Sequence, residues 1–212
     1  MIKEFEKRVL SSLILIPIAM FFIIQGSVFF ILFLSILLLV TIYEWFKISK
    51  KNDLLKFSGV TFLLFSFYAT FKIRDENSFK YFLFIVIICI FTDIGGYLFG
   101  KIFKGPKLTK LSPKKTYAGV LGSFMLSLIS GLILINYFIK DPTIIIIDTL
   151  SLLLLILSIS LISQMGDLII SYFKRKARLK DTGKILPGHG GLLDRIDGLV
   201  FVMPIIYLLG KI

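Results

Sequence analysis

Cysteine, histidine and tryptophan each occur once in this chain of 212 residues. The single cysteine, Cys89, lies in an apolar run; it excludes an intrachain disulfide and is most simply a small hydrophobic residue. One histidine and one cysteine do not make a zinc site of the usual kind. Acidic residues are also scarce, with 13 Asp and Glu against 25 Lys and Arg and a formal net charge of +12. Any chemistry must therefore come from a few carboxylates and many cations.

Apolar residues dominate what is present. The chain is 57% hydrophobic, has 22 phenylalanines and a mean hydropathy of +0.92, which exceeds the ordinary soluble range and indicates an integral membrane protein. Most of its apolar stretches are near the length of about 20 residues that a membrane-spanning helix needs. The seven stretches are 9–24, 27–46, 57–73, 81–99, 117–139, 144–173 and 190–210. We therefore expect an all-α integral membrane protein, a polytopic helical bundle of about seven transmembrane helices.

The basic residues predict which side each connection faces. They concentrate in the N-terminal tail and in the second, fourth and sixth connections. With seven spans these four segments fall on one side, which the positive-inside rule makes cytoplasmic, together with the N-terminus. A break in the long sixth stretch would give eight spans and split this arrangement, so seven are preferred. The positive charge then belongs to membrane-flanking loops, and no nucleic-acid partner is expected.

The sixth stretch ends with polar residues that share one helix face. Gln164, Asp167, Ser171 and Lys174 fall on one stripe at 100° per residue. Carboxylates at membrane depth are expensive and usually line a site or a polar cavity. The alternative is a purely structural ion pair of Asp167 with Lys174 or with an arginine.

The seventh stretch opens with two aspartates, Asp194 and Asp197, which are three apart and can point toward one cation on a helix. Together with Asp167 they suggest a metal site, and oxygen ligands suit magnesium. The alternative is that Asp194 pairs with Arg195 or Arg175 for stability alone.

Glycines and a histidine precede these aspartates. Gly190 and Gly191 permit close backbone approach, and the helix start that follows offers N–H groups to phosphate. His189 has no second His or Cys beside it, so we interpret it as a loop-ordering or hydrogen-bonding residue. Glu44 and Trp45, at the end of the second stretch, look like membrane-interface anchors.

A second constellation follows the fourth stretch. Asp93 and Tyr97 share a helix face with two glycines. The loop after it places hydroxyl and ammonium groups at a predicted helix start, a setting suited to phosphate oxygens. The residues in question are Ser112, Lys114, Lys115 and Thr116. Their spacing is not that of a Walker A loop, so no soluble nucleotide-binding fold is implied.

Taken together, the two constellations resemble the phosphatidate cytidylyltransferase family, also called CDP-diacylglycerol synthases. The family signature is S-x-[apolar]-K-R-x4-K-D-x-[small]-x2-[apolar]-[PG]-x-H-G-G-[apolar]-x-D-R-[apolar]-D, and residues 171–197 match every position. The resemblance covers about residues 90–200, and the first 80 agree only in general character. One departure is Ala118, where the family commonly has a glutamate.

The resemblance implies transfer of CMP from CTP to phosphatidic acid, giving CDP-diacylglycerol and pyrophosphate. It implies Mg²⁺, with a second cation as an option, and a homodimer in the cell (inner or plasma) membrane with its active site facing the cytoplasm. In this reading 1–212 is a single membrane-embedded domain, with N-terminal helices in 1–80 and catalytic helices and loops in 81–212. The implied catalytic residues are Asp167, Lys174, Asp194 and Asp197, of which the three aspartates are the metal ligands. The implied substrate-binding residues are Asp93, Tyr97, Ser112, Lys114, Lys115, Thr116, Ser171, Arg175, Lys180, Asp181, His189, Gly190, Gly191 and Arg195.

Two other classes of membrane protein would require different sequence patterns. A CDP-alcohol phosphotransferase also uses aspartates in membrane helices, but its D-G-x2-A-R-x8-G-x3-D-x3-D pattern is absent. An ion-coupled transporter would spread its carboxylates through the membrane, whereas here the charges cluster at the predicted cytoplasmic ends.

Overall fold

The computed structural model describes residues 2–50, 52–77, 79–109, 112, 115–138, 148–185, 188 and 190–210. Lys114 and His189, both predicted to bind substrate, lie outside these residues. The described residues form seven helices and no strand beyond a single bridge. The helices are α1 (Ile2–Gln25), α2 (Ser27–Ile48), α3 (Asp53–Glu76), α4 (Phe79–Phe103), α5 (Tyr117–Phe138), α6 (Thr149–Lys176) and α7 (Leu193–Leu209).

The helices coincide with the seven predicted apolar stretches, which confirms the helical bundle. Five are long and apolar enough to cross a membrane, judged by length and composition: α2, α3, α4, α6 and, over Tyr117–Ile135, α5. The apolar part of α1, Leu13–Gln25, is shorter, and α7 has 17 residues. Helix α6 is continuous over its 28 residues, so it contains no break that would make an eighth span. The chain is a multi-pass membrane protein.

Side chains at the helix ends explain several of the boundaries. Asn52 accepts a hydrogen bond from the Leu55 N–H at 3.0 Å and begins α3. At the other end of α3, Arg74 donates to the Ile23 carbonyl at 2.8 Å and so satisfies a free carbonyl in the last turn of α1. The turn between α1 and α2 needs Gly26, whose φ is +64°.

The core lies where α4, α6 and α7 meet. Its centre is fully buried and consists of Ile85, Ile88, Ile156, Ile159 and Val202. Because lipid tails are as apolar as these side chains, close fit and dispersion forces hold the helices together rather than transfer out of water. The exposed surface is correspondingly rich in large apolar side chains.

Small residues bring two pairs of helices unusually close. In α4, a Cβ added at Gly95 would collide with the carbonyl oxygen of Gly122 in α5. In α7, a Cβ added at Gly198 would collide with Ser163 of α6. Such contacts are typical of membrane helices that approach backbone to backbone. They place the polar ends of α4 and α5 beside those of α6 and α7.

Candidate active site

Two clusters of charged side chains lie at one end of the bundle, where α2, α4 and α6 end and α3, α5 and α7 begin. The first, which we name the open cleft because its charged side chains are partly or fully exposed, joins the α4–α5 pair to the α6–α7 pair. It comprises Asp93, Lys115, Asp167 and Arg195. The second, the buried cluster, ties α2 and the α6–α7 connection to the start of α7. It comprises Glu44, Lys174, Thr182 and Asp194.

The open cleft is built around Asp167. The Lys115 ammonium lies 2.6 Å from Asp167 Oδ2, and the Ser171 hydroxyl donates to Asp167 Oδ1 at 3.2 Å. The side chains of Lys115 and Asp167 are 25% and 30% exposed. An ion pair this accessible contributes only about 0–1 kcal/mol, so an anionic ligand can displace the carboxylate from the lysine at little cost.

A short hairpin-like loop brings Lys115 to the cleft. The Leu108 N–H donates to the Lys115 carbonyl at 2.8 Å, and Lys107 forms an isolated antiparallel bridge with Thr116. Thr116 caps α5, because its hydroxyl accepts the Gly119 N–H at 3.1 Å. The predicted helix start after this loop is therefore confirmed. The Thr116 hydroxyl, however, is already engaged in capping the helix.

Asp93 faces the same cleft from α4. It is exposed, and it lies within electrostatic range of Asp167, Lys115 and Arg195. Tyr97, one turn further along α4, is 65% exposed, and the Lys101 ammonium lies over its ring. The side chains from the two sequence constellations thus meet in one cleft, as the pattern predicted.

Asp194 belongs to the buried cluster. It lies 2.7 Å from the Lys174 ammonium, and the side chains of these two residues are 8% and 10% exposed. The backbone N–H groups of Thr182 and Gly191 donate to Asp194 Oδ2 at 2.8 and 3.2 Å, and the Thr182 hydroxyl lies 3.1 Å away. The Asp194 carboxylate therefore organises its own loop and has little capacity for a further ligand in this conformation.

Glu44 is a site residue that the sequence interpretation missed. It is fully buried, and so is Trp45 at 5% exposure, so the prediction that both are interface anchors is wrong. The Glu44 carboxylate accepts hydrogen bonds from the Thr182 hydroxyl at 2.7 Å, the Leu193 N–H at 2.8 Å and the Leu192 N–H at 3.0 Å. The sequence did contain a hint of this role, because Glu44 is the sole acidic residue in the apolar stretch that forms α2.

The glycines of the loop fit around Glu44. A Cβ added at Gly191 would collide with the Thr182 hydroxyl and lie 2.7 Å from Glu44 Oε2, and one at Gly183 would also collide with Glu44. Gly190 has a φ of +90°, which favours glycine. The close approach predicted for Gly191 is therefore present, and it is made to a carboxylate of the protein.

The structural ion pairs weighed as alternatives have other partners. Asp167 pairs with Lys115, and Asp194 pairs with Lys174. The Arg175 guanidinium instead donates to the Leu179 carbonyl at 3.1 Å. Lys115 is far from Asp167 in sequence, and Lys174 lies on a different helix from Asp194, so neither pair follows from spacing along one helix.

The predicted metal ligands are not gathered into a ready cage. No group of three carboxylate, histidine or cysteine side chains within the described ranges is close enough to hold a metal ion. Magnesium, however, usually takes one or two carboxylates and completes its shell with water and substrate phosphates. Asp167, accessible and beside Asp93, fits that requirement. Asp197 is 8% exposed, and its Oδ1 accepts a hydrogen bond from the Gly198 N–H at 2.9 Å. The assignment of Asp194 and Asp197 as metal ligands stays a prediction.

The other predicted substrate-binding residues lie around these clusters. Three are exposed in the last turn of α6 or in the loop that follows it, and two serines are less exposed. The exposed ones are Arg175, Lys180 and Asp181, while Ser171 is buried and Ser112 is half-buried in the loop before α5.

An apolar cavity of about 260 Å³ lies beside the buried cluster. Helices α3 and α6 both pack against α7 but make little direct contact with each other in the described structure, and the cavity occupies the gap. Trp45 closes one end, with its indole N–H bonded to the Leu55 carbonyl at 3.1 Å and its ring edge-on to Phe173. Ser58 and Phe62 line it from α3.

Comparison with known proteins identifies the family. The Cytidylyltransferase family profile matches residues 53–212. The phosphatidate cytidylyltransferase of Staphylococcus aureus (strain COL) is 40% identical over 152 residues, which cover 71% of this chain and 54% of the relative. That of Rickettsia conorii (strain ATCC VR-613 / Malish 7) is 32% identical over 215 residues, covering 95% of this chain and 89% of the relative. The chain thus spans about half the length of the staphylococcal relatives it matches. It belongs to the cytidylyltransferase family.

Proposed function

We propose that this chain is a phosphatidate cytidylyltransferase, which transfers CMP from CTP to phosphatidic acid and releases pyrophosphate. The observation that carries the proposal is the open cleft, where accessible carboxylates and cations from α4, α6, α7 and the loop before α5 face one another at the basic end of a membrane bundle. Two polyanions must meet in this reaction, so the site needs cations as well as metal-ligating oxygens.

In this proposal a phosphate oxygen of the lipid attacks the α-phosphorus of CTP, and the bond to the β-phosphate oxygen breaks to release pyrophosphate. The lipid phosphate is already ionised at neutral pH, so no protein nucleophile is needed. Lys115 and Arg195 would hold phosphate oxygens by charge-assisted hydrogen bonds. Lys115 can do so because its partner Asp167 is released when a phosphate takes its place.

Magnesium is part of the proposal. Asp167 would hold it, with Asp93 or Asp197 in support, since these carboxylates lie within electrostatic range of one another. When bound, the ion offsets the repulsion between the substrates and stabilises the leaving pyrophosphate. Asp194 and Lys174 would shape the loop beside this site. A second cation, if one binds, would draw on the same carboxylates.

The charge distribution supports an active site that faces the cytoplasm from the bacterial inner or plasma membrane. CTP is then available on the side where the cleft opens, and the lipid lies in the adjacent leaflet. The apolar cavity between α3 and α6 would accept hydrocarbon of the lipid substrate, because its lining is almost entirely apolar. The homodimer in this proposal rests on the family resemblance alone.

The test is pyrophosphate release by the purified protein in lipid nanodiscs supplied with CTP, phosphatidic acid and Mg²⁺. We expect release to need all three, to stop when diacylglycerol replaces phosphatidic acid, and to fall at least about 100-fold in Asp167→Asn. The matched control is Asp53→Asn, since Asp53 pairs with Lys56 on the surface of α3 and is 94% exposed. No release by the wild type, or full activity of Asp167→Asn, would contradict the proposal.

A further inference from the structure

A buried carboxylate on α2, that of Glu44, contacts the loop between the two helices that carry the predicted catalytic residues. Glu44 lies 138 residues before Thr182 in sequence, and the family profile begins at residue 53, after it. Helix α2 otherwise makes few contacts with α7 in the described structure, and this carboxylate is the polar link between them.

The hydrogen bonds of Glu44 are those of a helix cap supplied from another helix. Two of its three donors are the backbone N–H groups of Leu192 and Leu193 at the start of α7. Those groups have no partner within the helix, and the helix dipole favours a negative charge there. The charge is therefore stabilised in place even though the residue is fully buried.

Thr182 connects Glu44 to Asp194. Its hydroxyl lies 2.7 Å from Glu44 and 3.1 Å from Asp194, and its backbone N–H donates to Asp194 at 2.8 Å. A hydroxyl has one proton, so it donates to one carboxylate at a time, and the shorter distance favours Glu44. Glu44 thus holds the hydroxyl while the backbone of the same residue holds Asp194, which in turn positions Lys174.

We propose that Glu44 is a positioning residue for the transfer reaction, acting through Thr182 and Asp194 to fix Thr182 and residues 191–192 of the loop against the start of α7. The inference rests on the proposed function for its kinetic consequence, but not for its structural one. Glutamine in place of Glu44 keeps one acceptor oxygen and turns the other into an NH2 donor. The donors that now share the two oxygens can then no longer all be satisfied, and the Thr182 hydroxyl is free to turn to Asp194. The loop then loses its fixed attachment to α2.

The experiment compares Glu44→Gln with Glu76→Gln, a control in which a surface carboxylate paired with Lys72 is neutralised. We expect Glu44→Gln to lower kcat about 10- to 100-fold, as loss of an outer-shell partner usually does, with the KM for phosphatidic acid changed by less than about threefold. Glu76→Gln should leave both constants unchanged. Wild-type kcat in Glu44→Gln would overturn the proposal.

Thr182 supplies a second pair of variants in case Glu44→Gln does not fold. Thr182→Ser keeps the hydroxyl and should retain activity, whereas Thr182→Val should lose as much kcat as Glu44→Gln. In the double variant Glu44→Gln/Thr182→Val the losses should not multiply, because both remove the same attachment. Losses that multiply, or an active Thr182→Val, would show that Glu44 does not act through Thr182.

Amide hydrogen exchange separates this proposal from the proposed function. Glu44→Gln should raise the exchange rates of the amides of residues 182 and 191–193 by at least about tenfold and leave those of α4 unchanged. That result is expected even if the wild type proves inactive with CTP and phosphatidic acid, which would contradict the proposed function alone. Unchanged exchange at these amides would overturn the positioning role even in an active enzyme.

Discussion

The open cleft and the buried cluster each contain one lysine–aspartate pair of almost the same length, and the two pairs differ in surroundings. Lys115 lies 2.6 Å from Asp167 with both side chains about a quarter exposed, whereas Lys174 lies 2.7 Å from Asp194 with both at or below 10%. Solvent screens the attraction between Lys115 and Asp167. In the buried pair each charge needs the other, because water cannot reach either one to solvate it. The distance between the charges therefore says little about role, and burial separates a site that can exchange ligands from one that holds a loop.

The largest effect is expected from breaking the buried pair. Lys174→Met leaves the Asp194 charge without its cation in a nearly closed setting, which should lower the free energy of unfolding by about 3–5 kcal/mol. Thermal denaturation of the detergent-solubilised protein measures the change. Lys176→Met, which removes an exposed lysine of the same helix, is the control and should be neutral. Equal stability of the two variants would refute the distinction between buried and open pairs.

Crowding the buried cluster should have the next largest effect. Gly191→Ala places a methyl group against the Thr182 hydroxyl and Glu44, and such overpacking typically costs about 1–3 kcal/mol. Gly210→Ala, in a helical conformation with only ordinary contacts, should change stability little. Denaturation midpoints compare the two variants. A neutral Gly191→Ala would mean that the loop has room that the structure does not show.

Breaking the open pair should affect kinetics more than stability. Lys115→Met removes a surface ion pair worth about 0–1 kcal/mol, so the denaturation midpoint should scarcely move. Under the proposed function the KM for CTP should rise about tenfold, equivalent to ~1.4 kcal/mol of lost phosphate binding. Steady-state kinetics at fixed Mg²⁺ provides the measurement. A large loss of stability with unchanged KM would reverse the roles assigned to the two pairs.

The smallest effect is expected in the apolar cavity, away from both clusters. An apolar cavity of about 150 Å³ accommodates a molecule as large as benzene, so one of about 260 Å³ can hold part of an acyl chain. Ser58→Phe should raise the KM for long-chain phosphatidic acid a few fold and spare a short-chain form. Thr61→Phe, on the same helix but outside the cavity, should spare both. Equal KM values for Ser58→Phe and Thr61→Phe would remove the cavity from the lipid site.

The predicted parts of the fold are those that local sequence controls. Apolar stretches of about 20 residues predicted all seven helices, and a hydroxyl before an apolar run predicted the start of α5 at Thr116. The meeting of Asp93 with Asp167 followed from both being at the same predicted end of the bundle. None of these predictions depends on the conformation of a loop.

The contacts that were not predicted are made by loop residues that pack against distant helices. Lys115 reaches Asp167 across 52 positions and Glu44 reaches Thr182 across 138, and no helical periodicity relates residues so far apart. The sequence therefore offered Lys174 or an arginine as an alternative partner for Asp167, whereas the structure pairs Asp167 with Lys115. Glu44 was misread because a carboxylate near a helix end looks the same in sequence whether it meets water or a loop.

The close contacts of Gly95 with α5 and of Gly198 with α6 have a mechanical consequence. Each wall of the open cleft is a pair of helices in backbone contact, so neither wall can bend or separate without losing that fit. The two pairs also meet in the buried core, where Ile88 of α4 and Ile159 of α6 belong to one cluster. Thr92 of α4 adds a hydrogen bond to Ser160 of α6 at 3.0 Å. The separation of the two sides of the cleft is thus set by the packing beneath it, and not by the exposed charges that line it.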